Sequence, residues 1–180
     1  MARRYDPDRR QRIIDAAIRI VAERGIEALS HRAAAAEADV PLGSTTYHFA
    51  TLDELLVAAL RQVCSEPGMA PLTWRRALEG KKSLTDAVTD VLMDYLSGDP
   101  GRARLEYELY LAALRREALQ PIAAEWLDSM VELLTEHTGG EARARALLAL
   151  ADGLVLQALL TGRRFERAEV REALARVLGP

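Results

Sequence analysis

The sequence is short of most residue types that mark chemistry. Its 180 residues include a single cysteine, Cys64, so no internal disulfide can form, and no Cys/His cluster has zinc-site spacing. The three histidines, His31, His48 and His137, stand far apart. No glycine-rich phosphate loop, nucleophile elbow or paired metal-binding motif occurs. Glu106 and Glu108 lie two apart, a spacing that points side chains in different directions on a helix. These gaps argue against an enzyme, a metal centre or a cofactor. No run of about 18 apolar residues is free of charge, so a membrane span is not expected. The longest greasy stretch, Ala146 to Leu160, contains Asp152 and Gln157 and reads as a buried helix. The arginine-rich start is not followed by an apolar stretch of secretory type. One unpaired cysteine and no such stretch fit a reducing cytoplasm.

What is present points to a folded, all-α chain. Hydrophobic residues make up 49% and charged ones 28%, with a net charge of −3, which suits one or two domains with a sizeable core. The total hides an asymmetry. Residues 1–12 hold Arg3, Arg4, Arg9, Arg10 and Arg12 against Asp6 and Asp8 only. Residues 1–50 are slightly basic and the remainder is acidic. The cations are 22 arginines and two lysines, Lys81 and Lys82, a bias that a GC-rich genome explains.

Apolar residues recur three and four apart and strand alternation is nearly absent. A first helix is expected from Pro7 to Arg24, its inner face Ile13, Ala16, Ala17, Ile20 and Val21, stopped by Gly25. Ser30 caps a short helix from His31 to Ala38. Asp39-Val40 turns the chain into another short helix, Pro41 to Phe49. Thr51, with Asp53 and Glu54 in the first turn, starts a linking helix over about 51–65. Pro67 to Pro71 is the clearest break, so a domain boundary falls between residues 66 and 82. The expected domains are 1–56, with the linking helix, and 66–180. Beyond the break, helical patterns cover Ser83 to Ser97, Arg102 to Leu119, Pro121 to His137, Glu141 to Thr161 and Arg167 to Leu178. Short connections imply a bundle.

Two short helices joined by three or four residues have the layout of a helix-turn-helix, whose second helix enters the DNA major groove. The second one here, Pro41-Leu42-Gly43-Ser44-Thr45-Thr46-Tyr47-His48-Phe49, is rich in small hydroxyls and poor in helix formers. Such residues suit base edges and phosphates, and the basic arm before it suits phosphates of any sequence.

These residues resemble the N-terminal domain of the tetracycline-repressor (TetR) family of bacterial transcriptional regulators. The resemblance runs from Arg10 to Leu56. It is carried by Ile13-Ile14-Asp15-Ala16-Ala17, Gly25-Ile26-Glu27-Ala28-Leu29-Ser30, Ala38-Asp39-Val40-Pro41-Leu42-Gly43-Ser44-Thr45-Thr46-Tyr47-His48-Phe49 and Leu52-Asp53-Glu54-Leu55-Leu56. It implies a repressor that binds a pseudo-palindromic double-stranded DNA operator as a homodimer and is released by a small molecule. It also puts Arg32 near a base edge, Leu42, Gly43, Ser44 and Thr46 against bases or the groove wall, and Tyr47 and His48 on phosphates. The full set expected at DNA is Arg3, Arg4, Arg9, Ser30, His31, Arg32, Leu42, Gly43, Ser44, Thr45, Thr46, Tyr47 and His48. The chain departs from the family where Leu52 replaces a common lysine and where Asp39 replaces glycine; Asp tolerates a left-handed turn better than most residues.

Candidates for an effector pocket are Met93, Tyr95, Glu106, Tyr107, Tyr110, Trp126 and Met130, apolar or aromatic groups with a few polar atoms. The helix from Glu141 to Thr161 is nearly apolar all round, which one subunit cannot cover alone. Leu147, Leu150, Gly153, Leu154 and Gln157 are the expected dimer seam. The family resemblance implies a four-helix bundle there. A helical interaction adaptor is the alternative reading, but it has no need of a hydroxyl-rich third helix beside an arginine arm.

Overall fold

The computed structural model describes residues 7–66, 71–79 and 83–178. Arg3 and Arg4 lie outside the described residues, as do residues 67–70 and 80–82 of the expected boundary. Ten α-helices and three short 3-10 turns make up the described chain, with no strand. Contacts divide it into two compact units, residues 1–63 with 105–123, and residues 64–104 with 124–180.

The first unit opens with α1 (Arg9–Arg24). Its expected inner face is buried in full, joined by Ile14. Gly25 ends the helix at φ +81°, and a 3-10 turn, Ile26–Ala28, leads to α2 (His31–Glu37). Ser30 caps α2, its Oγ accepting the Ala33 N–H at 3.1 Å. Such a cap is worth about 1 kcal/mol. Asp39 takes a left-handed φ of +50°, the only non-glycine to do so among the described residues. It turns the chain into α3 (Leu42–His48), with Pro41 at its N-cap. Phe49 follows, 2% exposed, under the Arg10 guanidinium 5.0 Å from its ring centre. At the start of α4 (Leu52–Ser65), Thr51 Oγ1 accepts the Glu54 N–H and the Glu54 carboxylate accepts the Ala50 N–H. Gln62 and Gln11 both donate to Asp15 Oδ1, at 2.9 and 2.8 Å, tying α4 to α1.

Residues 105–123 complete this unit. They hold the end of α7 (Pro100–Leu111) and two 3-10 turns, Ala112–Leu114 and Glu117–Leu119. The sequence predicts one helix from Arg102 to Leu119, and the structure breaks it after Leu111. The break aims the Arg116 guanidinium at Asp53 Oδ1, 2.6 Å away, and buries Leu119 completely. Glu108 Oε1 accepts the Ile26 N–H at 2.5 Å. Tertiary contacts overrule helix propensity here.

In the second unit, α5 (Pro71–Leu78) packs on α6 (Leu84–Ser97), which packs on α9 (Glu141–Thr161) and α10 (Arg167–Leu178). The helix α8 is Gln120–Thr138. The core includes Trp74, Leu92, Met130, Leu134, Leu147 and Leu174. By length and composition α9 is apolar enough to cross a membrane. Six of its residues, Ala144, Leu147, Leu148, Ala151, Leu154 and Val155, are buried in the protein. Two ion pairs, Asp86–Arg171 and Asp90–Arg167, each at 2.7 Å, fasten α10 to α6.

The hydrogen bond from Arg171, aided by its charge, holds the Asp86 carboxyl below its usual pKa, against the opposing effect of desolvation. A depressed carboxyl pKa stabilises the fold above the unfolded value and loses that effect as pH falls through the folded one. Asp86→Asn is therefore expected to lower the melting temperature at neutral pH by a small amount. The gap from the unaltered chain closes in acid below the ordinary carboxylate range, as thermal unfolding followed by circular dichroism would show. A gap constant with pH would break the link to Asp86 ionisation.

Candidate nucleic-acid interface

The outer surface of α2 and α3 carries the site, and two buried hydroxyls hold it in place. Thr45 is wholly buried and Ser44 is 5% exposed. The Thr45 hydroxyl donates to the Leu42 carbonyl at 2.7 Å and lies 3.4 Å from the His31 carbonyl. Ser44 Oγ accepts from Arg9 Nη1 at 3.5 Å. Both residues therefore leave the expected set of DNA contacts. A buried polar group needs its hydrogen bond inside the protein, and theirs seat α3 against α2 and α1.

The opposite face of α3 is open. Leu42 is 44% exposed and Tyr47 84%, with Gly43 and Thr46 exposed beside them. Arg32 projects from the first turn of α2, also exposed, and no ion pair to it occurs among the described residues. Tyr47 stands edge-on to the half-buried His48 ring at 5.1 Å between centres. His31 is half-buried, with Nδ1 shielded from solvent and without a hydrogen-bond partner among the described residues. The Ser30 side chain is occupied in capping. Arg9 and Arg10 at the start of α1 reach Ser44 and Phe49, so the described part of the basic arm begins beside α3.

Gly43 marks how close a partner can come. A Cβ added there would meet no atom within 4 Å, so packing inside the protein does not require glycine. Glycine in a helix costs about 0.5–1 kcal/mol against alanine. The bare backbone leaves a flat spot between Leu42 and Thr46, where a groove wall can approach.

Of the expected pocket residues, Met93 and Tyr95 line a common cavity. Glu106 is 0% exposed and Tyr107 7%, while Tyr110 is half-buried, 6.2 Å from Tyr107 between ring centres. Trp126 and Met130 are buried on α8. Of the expected seam, Leu147 and Leu154 turn inward and are buried, which removes them from any outward face. Leu150 and Gly153 are half-buried and Gln157 is exposed, along a strip that continues to Leu160, 82% exposed. Sequence reasoning missed Glu108 and Arg116, since partners 82 and 63 residues away leave no local pattern.

A short helix presented on its outer face by a three-helix seat, next to arginines, defines a helix-turn-helix DNA-binding regulator. The family model for bacterial regulatory proteins of the tetR family matches residues 13–59, and that for the tetracyclin repressor-like C-terminal domain matches residues 79–180. The chain belongs to the tetR family and is a transcriptional regulator. It is 53% identical to the multidrug binding protein EbrR solved with imidazole, covering 97% of both chains with a TM-score of 0.89. EbrR has also been solved with ethidium, proflavin and malachite green. The HTH-type transcriptional regulator PksA of Bacillus subtilis is 28% identical over 92% of this chain and 86% of its own. The nicotine-responsive repressor HdnoR of Paenarthrobacter nicotinovorans is 26% identical, over 83% of each chain.

Gly43→Ala separates fold from function. It is expected to stabilise the chain by about 0.5–1 kcal/mol in denaturant unfolding, while weakening specific DNA binding at least tenfold in a gel shift. Unchanged DNA affinity would show that nothing approaches α3 at Gly43.

Proposed function

We propose that two copies of this chain act as a repressor on a pseudo-palindromic DNA operator, and that a small molecule releases them. The exposed face of α3, with Arg32 beside it, carries the reading. Leu42, Gly43 and Thr46 would lie against bases and Arg32 would grip guanine O6 and N7 with both arms of its fork. Tyr47, His48 and the α1 arginines would hold phosphates. Leu52 offers no charge at the start of α4, so the arm arginines and the α4 N-terminus would share that phosphate. Such a regulator works where the chromosome lies, in the cytoplasm.

The dimer would form through the outward strip of α9, Leu150, Gly153, Gln157 and Leu160, where apolar and small residues face away from the chain's own core. The effector reading draws on EbrR, whose ligands include planar aromatic cations. Glu106 is a fully buried carboxylate with Tyr107 and Tyr110 on the same helix, a recipe for an aromatic cation. Binding would act through α4, which carries the DNA-binding unit at its N-terminal end. A ligand can shift the spacing of the two α3 helices only by its differential affinity for the two arrangements.

Selection of bound DNA from a random pool tests the reading: a two-fold-symmetric site is expected, and an asymmetric or featureless pool would overturn it. Arg32→Ala should cost about 1–3 kcal/mol and relax one base position in each half-site; an equal loss on every sequence would make Arg32 a phosphate contact. A Cβ at Gly153 meets nothing within 4 Å in the chain, so Gly153→Arg should leave the protomer folded and convert dimer to monomer in analytical ultracentrifugation. A dimer that persists would place the seam elsewhere. Ethidium and proflavin should bind with dissociation from the selected operator, and Glu106→Gln should weaken both at least tenfold.

A further inference from the structure

A cavity of about 650 Å³ lies within the second unit, where the end of α6, the start of α7 and the end of α9 meet the loop before α10. Its walls are apolar: Met93, Tyr95, Val155 and Phe165, the last 8% exposed. That volume suits an organic molecule of small-drug size. The charged residues that line it are Arg104, Arg163 and Arg164 against a single acid, Glu166.

The three arginines are not equivalent. Arg163 is already engaged, with its guanidinium 4.6 Å above the Phe165 ring and ion-paired to Glu169. Arg104 and Arg164 are exposed, and neither has a hydrogen bond or ion pair among the described residues. The C-termini of α6 and α9 also end here, at Ser97 and Thr161, and each brings about half a negative charge. With Arg163 neutralised by Glu169, the unpaired guanidiniums of Arg104 and Arg164 about balance Glu166 and the two helix ends, so the pull on an anion comes from those two forks and not from a net positive charge.

We propose that this cavity binds an organic anion, a carboxylate with an apolar body, whose head group is held by Arg104 and Arg164 while its body lies against Met93, Tyr95, Val155 and Phe165. A guanidinium grips a carboxylate through two parallel hydrogen bonds, and such charge-assisted bonds are about twice as strong as neutral ones. The site offers unpaired guanidiniums where the Glu106 region offers a buried acid, and its residues are separate. It therefore stands independently of the aromatic-cation reading, and of how α3 meets DNA.

Isothermal titration of the full chain with decanoate, 1-decanol and decylamine tests it, since the three share an apolar body and differ in head-group charge. Decanoate is expected to bind at least tenfold more tightly than the alcohol, with the amine weakest. In the double variant Arg104→Gln, Arg164→Gln that preference should vanish. Both side chains are exposed, and an unchanged circular dichroism melt would confirm that the variant folds; the single variants serve if it does not. Equal affinity for alcohol and carboxylate, or decanoate binding untouched by loss of both arginines, would overturn the proposal.

Discussion

The DNA-reading surface depends on a helix too short to stand by itself. Isolated helices below about 12–15 residues are marginal in water, and α3 has seven. Its sequence, with glycine and three hydroxyl residues, makes it weaker still. The constraint is met from below, by Ser44 and Thr45 turned inward with their hydroxyls hydrogen-bonded, on a bed formed by α1 and α2 in the unit that also buries Ile13, Ala34 and Phe49. Everything on the outer face is then free of structural duty. Gly43, Thr46 and Tyr47 contribute almost nothing to the core and can be chosen for what they meet.

The same division of labour runs through the second unit. The inner side of α9 is core, with Leu147 at 0% exposure and Leu154 at 6%, and its outer side carries Leu150, Gly153, Gln157 and Leu160. The ion pairs that fasten α10 are exposed, where such pairs contribute modestly. Packing of Leu92, Leu174 and Val170 holds α10 in place, and the arginines set its register.

Much of this architecture was legible in the sequence, and the failures have physical causes. The boundaries of α9 and α10 follow from periodicity and glycine stops, and the left-handed turn at Asp39 from the known tolerance of aspartate for that conformation. The family resemblance located the helix-turn-helix. Hydroxyl residues, however, read as surface, and Ser44 and Thr45 are buried because their own helix and a neighbouring arginine satisfy them. An all-apolar helix cannot declare which face is inner, so Leu147 and Leu154 were expected on the wrong side. The break in α7 was invisible because Arg116 finds Asp53 from 63 residues away.

That long-range pairing has a consequence for synthesis. Residues 105–123 belong to the same compact unit as residues 1–63, so the reading head is discontinuous along the chain. N-terminal domains usually fold first as the ribosome delivers them. Here the first 63 residues emerge without the Glu108 and Arg116 contacts, and wait for some 60 more before their unit is complete. The part that handles DNA reaches its final form only when much of the other unit has already been made. A nascent chain of 63 residues thus holds the seat of α3 but lacks the partners of Ile26 and Asp53.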